Sequence, residues 1–191
     1  MTPHDFAAAG RDVEVPRPYC PRPDCPRCLL AMSFWGCYTR PLRVAEEISL
    51  LVRRARCRHC GVSHALVPDF VVPARLYGVE VIGAGIEAMA VGGTTASAAR
   101  RADAPARDWR RRFASRSRLL AAGFLAATVA LGDLAPRLPA GAVEVALCAI
   151  SAAARAARRR LGAAGTRWRI ANRIVGGHLL STNTDPPWIS N

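Results

Sequence analysis

Hydrophobic and polar positions alternate along the first third of the chain in a way that predicts short strands. Ile48, Leu50 and Val52 recur at period two, and neighbouring stretches are rich in aromatic and β-branched residues. The predicted strands are Ser33–Arg40, Glu47–Arg56 and Val62–Val67. Five prolines between residues 16 and 26 forbid a helix before them, and we interpret residues 1–19 as a flexible tail.

From about residue 77 onward, apolar positions recur at helical spacing. Val79, Ile82, Ile86 and Met89 fall three and four residues apart, which predicts an amphipathic helix over Gly78–Val91. After Gly92-Gly93, Thr94 or Thr95 can cap a short second helix that ends near Arg101. Asp103 can cap a third helix, with Pro105 in its first turn. This order of elements, three helices separated by a Gly-Gly pair and a turn, predicts a helix-turn-helix.

Two strongly apolar segments follow, Leu119–Leu131 and Val143–Arg160, separated by Pro136, Pro139 and Gly141. They predict an antiparallel helical hairpin. Alanine dominates the apolar residues, so their packing should depend on close approach of the helices more than on bulky side chains. A last helix is expected around Trp168–Val175, before a polar tail over Ser181–Asn191.

Four of the seven cysteines form two CxxC pairs, Cys25-Pro-Arg-Cys28 and Cys57-Arg-His-Cys60. In a chain without an export signal, such pairs indicate a metal site rather than disulfides. Zn²⁺ prefers four sulfur or nitrogen ligands in a tetrahedron, and each CxxC turn supplies two cysteine sulfurs. We therefore predict a structural zinc site made by Cys25, Cys28, Cys57 and Cys60. A small, proline-rich β-region gains from the metal the folding energy that its own core lacks.

Other ligand sets remain open at this point. Cys20 could replace Cys25, and His59 or His64 could compete for the ion. The remaining two cysteines, Cys37 in an apolar strand and Cys148 in an apolar helix, are expected in the core.

The predicted class is therefore α+β, a small N-terminal β zinc ribbon followed by an all-α helix-turn-helix and helical hairpin. The ribbon covers residues 20–73 and the helix-turn-helix 76–118. The hairpin covers residues 119–165, and a C-terminal helix and tail occupy 166–191.

Charge points to a polyanionic partner. The chain has 27 basic residues, all of them arginine, against 14 acidic ones, a net charge of +13. On a helical projection of residues 100–118, Trp109 and Phe113 share one face, while Arg107, Arg111 and Arg118 lie opposite and Arg110 lies on the flank. Arg116 would fall beside Trp109 in a straight helix, so we expect a break near Ser115–Ser117.

This arrangement is typical of a helix that enters the major groove of double-stranded DNA. Arg107 and Arg111 are the candidates for base edges, where arginine favours guanine. Phosphate contacts are assigned to Arg100, Arg101, Arg110 and Arg112. Because symmetric readers bind two half-sites, a homodimer through the helical hairpin is expected.

Several function classes are disfavoured. No carboxylates cluster at the spacing of a nuclease or transposase metal site, and no complete phosphate-binding glycine motif is present, so we expect no enzyme and no small-molecule substrate. The uncharged apolar run from Leu119 to Gly132 is shorter than the roughly 20 residues that span a membrane. The first 19 residues lack the apolar core of an export signal, so we expect a cytoplasmic protein.

The chain also resembles an uncharacterised actinobacterial family, often found near mobile elements, that joins a zinc ribbon to a helix-turn-helix. The residues that carry the resemblance are Cys25-Pro-Arg-Cys28, Trp35-Gly36, Arg56-Cys57-Arg-His-Cys60, Ser63-His-Ala-Leu-Val-Pro68, Arg107-Asp-Trp-Arg-Arg-Arg-Phe113, Trp168-Arg-Ile-Ala-Asn172 and Gly176-Gly-His-Leu-Leu-Ser181. The resemblance spans most of residues 20–185 and implies DNA binding linked to transposition or recombination.

Two alternatives lead to different partners. The ribbon and hairpin could dock a recombinase or transcription protein without sequence-specific DNA binding. The ribbon could instead bind RNA through Phe34, Trp35 and Tyr38, although we expect these three aromatics to form its small core.

Overall fold

A computed structural model describes residues 1–22, 25, 30–90 and 104–180, and divides the chain into two units, Met1–Pro68 and Asp69–Asn191. The first unit holds a three-stranded antiparallel sheet with a cysteine cluster, and the second is helical. The predicted α+β class, a small β region followed by helices, is confirmed.

The sheet follows the hydrophobic pattern closely. Its strands are β1 (Ser33–Arg43), β2 (Glu47–Arg56) and β3 (Ser63–Ala65), in the order β1-β2-β3 with both neighbouring pairs antiparallel. Leu50 and Val52 are completely buried, as their period-two spacing predicts. All three predicted strands are therefore confirmed.

The first residues of the chain are helical, so the prediction of an unstructured tail over residues 1–19 is wrong. Helix α1 spans Pro3–Ala9 and continues as a 3₁₀ turn over Gly10–Asp12. Thr2 and Asp5 form a reciprocal capping box, in which each side chain accepts a hydrogen bond from the other's backbone N–H. Phe6 and Val13 are buried, and α1 packs against β2.

Four helices are described in the second unit. They are α2 (Val79–Ala90), α3 (Ala104–Ala130), α4 (Ala142–Leu161) and α5 (Arg167–Ile174). Helices α2 and α5 confirm the sequence predictions to within about a residue at each end. The predicted second helix, from Thr94 or Thr95 to Arg101, and the predicted cap Asp103 lie outside the described residues.

Helix α3 is continuous over 27 residues, so the predicted break near Ser115–Ser117 is wrong. The Ser115 and Ser117 hydroxyls each donate a 2.9 Å hydrogen bond to a carbonyl oxygen three residues earlier in the helix. This local bonding lets both serines remain helical. The predicted apolar helix Leu119–Leu131 is the C-terminal half of α3.

Helices α3 and α4 pack together extensively but run in the same direction, so the predicted antiparallel arrangement is wrong. The first residues of α4, 142–144, line one cavity with Phe113 and Ser117 in the first half of α3. At the opposite end, Arg160 of α4 donates to the carbonyl oxygen of Gly132, just beyond α3. The connection over residues 131–141 can reach roughly 36 Å when extended, enough to return along α3.

The alanines of α4 form most of its buried surface. Each is at most 3% exposed: Ala146, Ala149, Ala152, Ala153, Ala154, Ala156 and Ala157. Small side chains allow a neighbouring helix to approach closely, which fits the expectation from composition. Gly83 of α2 serves the same purpose, because a Cβ there would lie 2.3 Å from the Trp168 ring.

Helix α5 holds the segment that precedes α2. Asn172 is buried, and its side-chain amide donates to the carbonyl oxygens of Asp69 at 2.8 Å and Val71 at 3.0 Å. The Asp69 carboxylate accepts from Arg169 at 2.6 Å and pairs with Arg173 at 2.9 Å. No helix in the described part of the chain is both long and apolar enough to cross a membrane.

Candidate metal centre and arginine-rich helix

Four cysteines of the first unit meet at one point. The sulfur atoms of Cys20, Cys25, Cys57 and Cys60 all lie within 4.8 Å of one another. The Cys20 and Cys60 sulfurs are 3.5 Å apart, and those of Cys25 and Cys57 are 3.8 Å apart. No disulfide joins them. Three of the four residues are buried, and Cys60 is partly exposed.

These separations fit one tetrahedrally coordinated ion. Four sulfurs at 2.3 Å from a zinc ion lie about 3.8 Å from each other, the edge of the tetrahedron. The cysteine cluster, as we call these four residues, can therefore bind a metal ion. With four protein ligands it would leave no coordination position for a substrate, which is the pattern of a structural rather than a catalytic site.

The turn after β2 positions Cys57 and Cys60. Its backbone closes through two hydrogen bonds, from Cys57 N–H to the Val62 carbonyl at 2.9 Å and from Gly61 N–H to the Cys57 carbonyl at 3.0 Å. Gly61 has a φ of +75°, the left-handed conformation that its place after the CxxC pair predicts. The turn directs both sulfurs to the same side.

The proline-rich segment before β1 positions the other two sulfurs. The Cys25 N–H donates to the Arg22 carbonyl at 3.1 Å, which ties Cys25 to the backbone two residues after Cys20. The same segment is tied to the sheet, because Met32 N–H donates to the Pro18 carbonyl at 2.8 Å. Met32 and Ala55 pack beneath the cluster as its apolar floor.

Three of the four predicted ligands lie in the cysteine cluster, and the fourth, Cys28, lies outside the described residues. Cys20, expected only as a replacement for Cys25, joins it instead. The signal was present, because a four-residue gap is still within the usual spacing of paired zinc ligands. Neither His59 nor His64 belongs to the cluster found among the described residues. Cys37 is exposed on β1, so its predicted place in the core is wrong.

The pKa values of two thiols in the cysteine cluster are shifted in opposite directions. Backbone N–H groups of Cys60 and His59 donate to the Cys57 sulfur and lower its pKa to about 6. For Cys20, the Arg22 N–H acts in the same direction, but burial and the neighbouring thiols outweigh it and raise its pKa to about 12. Without metal, Cys57 is therefore a thiolate at neutral pH while Cys20 keeps its proton.

The N-terminal half of α3 separates aromatic and basic side chains as predicted. Trp109 and Phe113 are buried, and they stack edge-on against Tyr77 and Trp168, with ring centroids 4.9 and 6.2 Å apart. From residue 107 onward, where side chains of this half are described, the exposed residues are all basic or small. The exposed arginines are Arg107, Arg110, Arg111 and Arg118. We call these four the arginine face.

One carboxylate, which the sequence analysis did not assign, lies beside this face. Asp108 accepts from Arg111 at 2.9 Å and from Arg112 at 2.6 Å, and these two bonds lower its pKa. The Arg111 side chain remains 79% exposed, whereas that of Arg112 is only 29% exposed. Asp108 therefore orients Arg111 without covering it. The other predicted phosphate contacts, Arg100 and Arg101, lie outside the described residues.

Comparisons with known proteins add one match. No curated protein and no solved structure matches the chain. Residues 25–112 match the family model of a Domain of unknown function (DUF6431). This span begins at Cys25, takes in the sheet and the Cys57–Cys60 turn, and ends within the arginine-rich half of α3. The chain therefore carries a DUF6431 domain at residues 25–112.

Proposed function

We propose that this chain binds double-stranded DNA through the arginine face of α3, with the cysteine cluster as a structural zinc site. The observation that carries the proposal is the exposure of Arg107, Arg111 and Arg118 on the side of α3 opposite the buried Trp109 and Phe113, with Arg110 exposed on the flank. A helix anchored by aromatics on one side and presenting guanidinium groups on the other suits the major groove. The net charge of +13 favours the same partner.

Zinc is the proposed ion because the ligands are four thiols at tetrahedral separations. Tetrahedral sulfur sites favour zinc or iron, and zinc suits a closed site that performs no redox chemistry. The ion joins the segment before β1 to the turn after β2. Its role is to fold the small sheet rather than to activate water.

Within the helix, different arginines have different proposed roles. Arg107 and Arg111 contact base edges, and the Asp108 carboxylate holds the Arg111 guanidinium in one orientation for this purpose. Arg110 contacts phosphate, together with Arg100 and Arg101. Arg112 is more buried and bonded to Asp108, so its proposed contribution is to orient Asp108 as well as to attract phosphate.

The proposed biological role is that of a regulator or accessory factor of a mobile element. It is supported by the resemblance of the ribbon and helix motifs to proteins found near such elements, and by the lack of an assembled acidic site in the described residues. The competing role, docking of a recombinase or transcription protein without DNA contact, predicts that the arginine face is dispensable.

A retardation assay with duplex DNA at roughly 50 mM salt tests the proposal. Arg107→Ala/Arg111→Ala should weaken binding roughly thirtyfold or more, since each bidentate base contact contributes about 1–3 kcal/mol. The matched control is Arg137→Ala/Arg155→Ala, which removes the same charge from exposed arginines elsewhere in the second unit. Equal binding by the two double variants, or no shift with wild-type protein, would contradict the proposal.

A further inference from the structure

The Trp35 ring, near the start of β1, lies outside the core that it was expected to join. Only Phe34 of the three ribbon aromatics packs against the apolar residues around the cysteine cluster. Trp35 is 49% exposed and Tyr38 is 38% exposed. The strand register explains Trp35, because Phe34 pairs with Ala55 and Gly36 with Arg54, leaving Trp35 as the extra residue of a β-bulge. A bulge redirects its side chain away from the ladder.

Two arginines lie over the Trp35 ring and two over the Phe34 ring, on opposite faces of the sheet, because successive residues of β2 point to opposite sides. The guanidinium carbons of Arg54 and Arg56 lie 4.7 and 5.6 Å from the centre of the Trp35 ring. Those of Arg17 and Arg53 both lie 5.2 Å from the centre of the Phe34 ring. Stacking against an aromatic ring holds a guanidinium group flat and leaves N–H donors at its edge for another acceptor.

Among the described residues, none of Arg17, Arg53, Arg54 and Arg56 forms an ion pair with a carboxylate. Two carboxylates of the same unit pair elsewhere, Glu47 with Arg43 and Glu46 with His4, at the other end of the β1–β2 hairpin. A half-exposed indole, flanked by Arg54 and Arg56 that pair with no carboxylate of the described residues, therefore faces solvent.

We infer that this surface is a second nucleic-acid site, which binds single-stranded DNA by stacking one unpaired base on Trp35. Arg54 and Arg56 bind the phosphates that flank that base. Indole rings stack on any base without reading its sequence, and neighbouring arginines follow the backbone, which is the chemistry of single-strand binding. An acidic peptide would use the charges but would leave the exposed ring without a partner. The choice of DNA rests on the proposed function.

Thymidine dodecamer, which forms little structure of its own, is the probe for full-length metal-loaded protein. Binding is followed by fluorescence anisotropy of labelled DNA and by quenching of tryptophan emission.

We expect wild-type protein to bind and its tryptophan emission to be quenched, and Trp35→Ala to bind about tenfold more weakly. Trp35→Phe should retain part of the affinity but lose the quenching. Arg54→Gln should weaken binding severalfold, while Arg43→Gln, which removes the same charge at the other end of β1, should not.

Duplex binding, measured in parallel, separates this inference from the proposed function. Trp35→Ala should leave duplex binding intact, and Arg107→Ala/Arg111→Ala should leave the Trp35 quenching intact. Single-strand affinity unchanged in Trp35→Ala with normal metal content would overturn the inference even if duplex binding persists. Tighter binding of a uridine dodecamer than of the thymidine probe would overturn the assignment to DNA.

Discussion

The sulfur atoms of Cys20 and Cys60 lie 3.5 Å apart, although forty residues separate them in the chain. This contact joins the proline-rich segment before β1 to the turn that follows β2. With the Cys25–Cys57 contact at 3.8 Å, it closes a set of four thiols around one point. A metal ion bound there would therefore join two segments of the first unit that are distant in sequence.

Cys20→Ser should remove the metal and unfold the region around it, because three remaining thiols bind a tetrahedral ion far more weakly. The measurement is metal content per chain by elemental analysis, with near-ultraviolet circular dichroism for folding. Cys37→Ser is the matched control, since Cys37 is exposed on β1 and distant from the cluster in the register of the sheet. A Cys20→Ser protein that keeps one metal ion per chain would contradict the assignment of Cys20.

Metal binding should release protons in a pH-dependent way. Cys20, with a pKa of about 12, is protonated at pH 7.5, whereas Cys57, with a pKa of about 6, has already lost its proton. Thiolates are the ligands, so the ion must displace at least the Cys20 proton. Adding zinc to metal-free protein in weak buffer should release at least one proton per ion. As pH falls below about 6, Cys57 also takes up a proton and the affinity should fall. Zinc uptake without proton release would contradict this account.

Asn172→Ala should destabilise the second unit by about 2–4 kcal/mol, since it leaves one buried and one partly buried carbonyl group without their donor. The affected carbonyls belong to Asp69 and Val71. Urea unfolding followed through the buried Trp109 and Trp168 measures the effect. Arg173→Ala, which removes a more exposed partner of Asp69 from the same helix, should cost less than about 1 kcal/mol. Equal losses in the two variants would refute the role given to Asn172.

Asp108→Ala should strengthen non-specific duplex binding severalfold, because it removes a negative charge beside Arg111 and Arg112 that competes with phosphate. Asp133→Ala removes the same charge near Arg159, away from the arginine face, and should leave the affinity unchanged. Retardation of random-sequence duplex DNA provides the comparison. Weaker binding in Asp108→Ala would mean that orientation of Arg111 matters more than charge.

Local patterns predicted the strands, because a sheet with one buried face needs alternation, and β2 has it at Leu50 and Val52. They also predicted which side of α3 is buried, since Trp109 and Phe113 are one helical turn apart. The N-terminal helix was not predicted, because its seven residues are too few to show a helical period, although Thr2 and Asp5 have the spacing of a capping box. Cys20 was considered only as a replacement for Cys25, because the shorter Cys25–Cys28 spacing fits a metal turn so well.

The direction of α4 and the continuity of α3 depend on contacts that no local sequence pattern contains. The serines at 115 and 117 look like the end of a helix, yet each bonds within its own helix and α3 continues. The prolines between Leu131 and Ala142 look like a tight turn between antiparallel helices. The connection instead runs back along α3, so that α4 begins beside Phe113. This direction is determined by the packing of the buried alanines of α4, which no local pattern contains.

Salt dependence of duplex binding tests the central claim most directly. If α3 and neighbouring arginines contact some six phosphates, affinity should fall roughly 10³-fold between 50 and 200 mM salt, with a linear plot of log K against log salt concentration. Arg110→Ala should reduce the slope of that plot by about 1. An affinity that barely changes with salt, or an unchanged slope in Arg110→Ala, would contradict DNA binding by the arginine face.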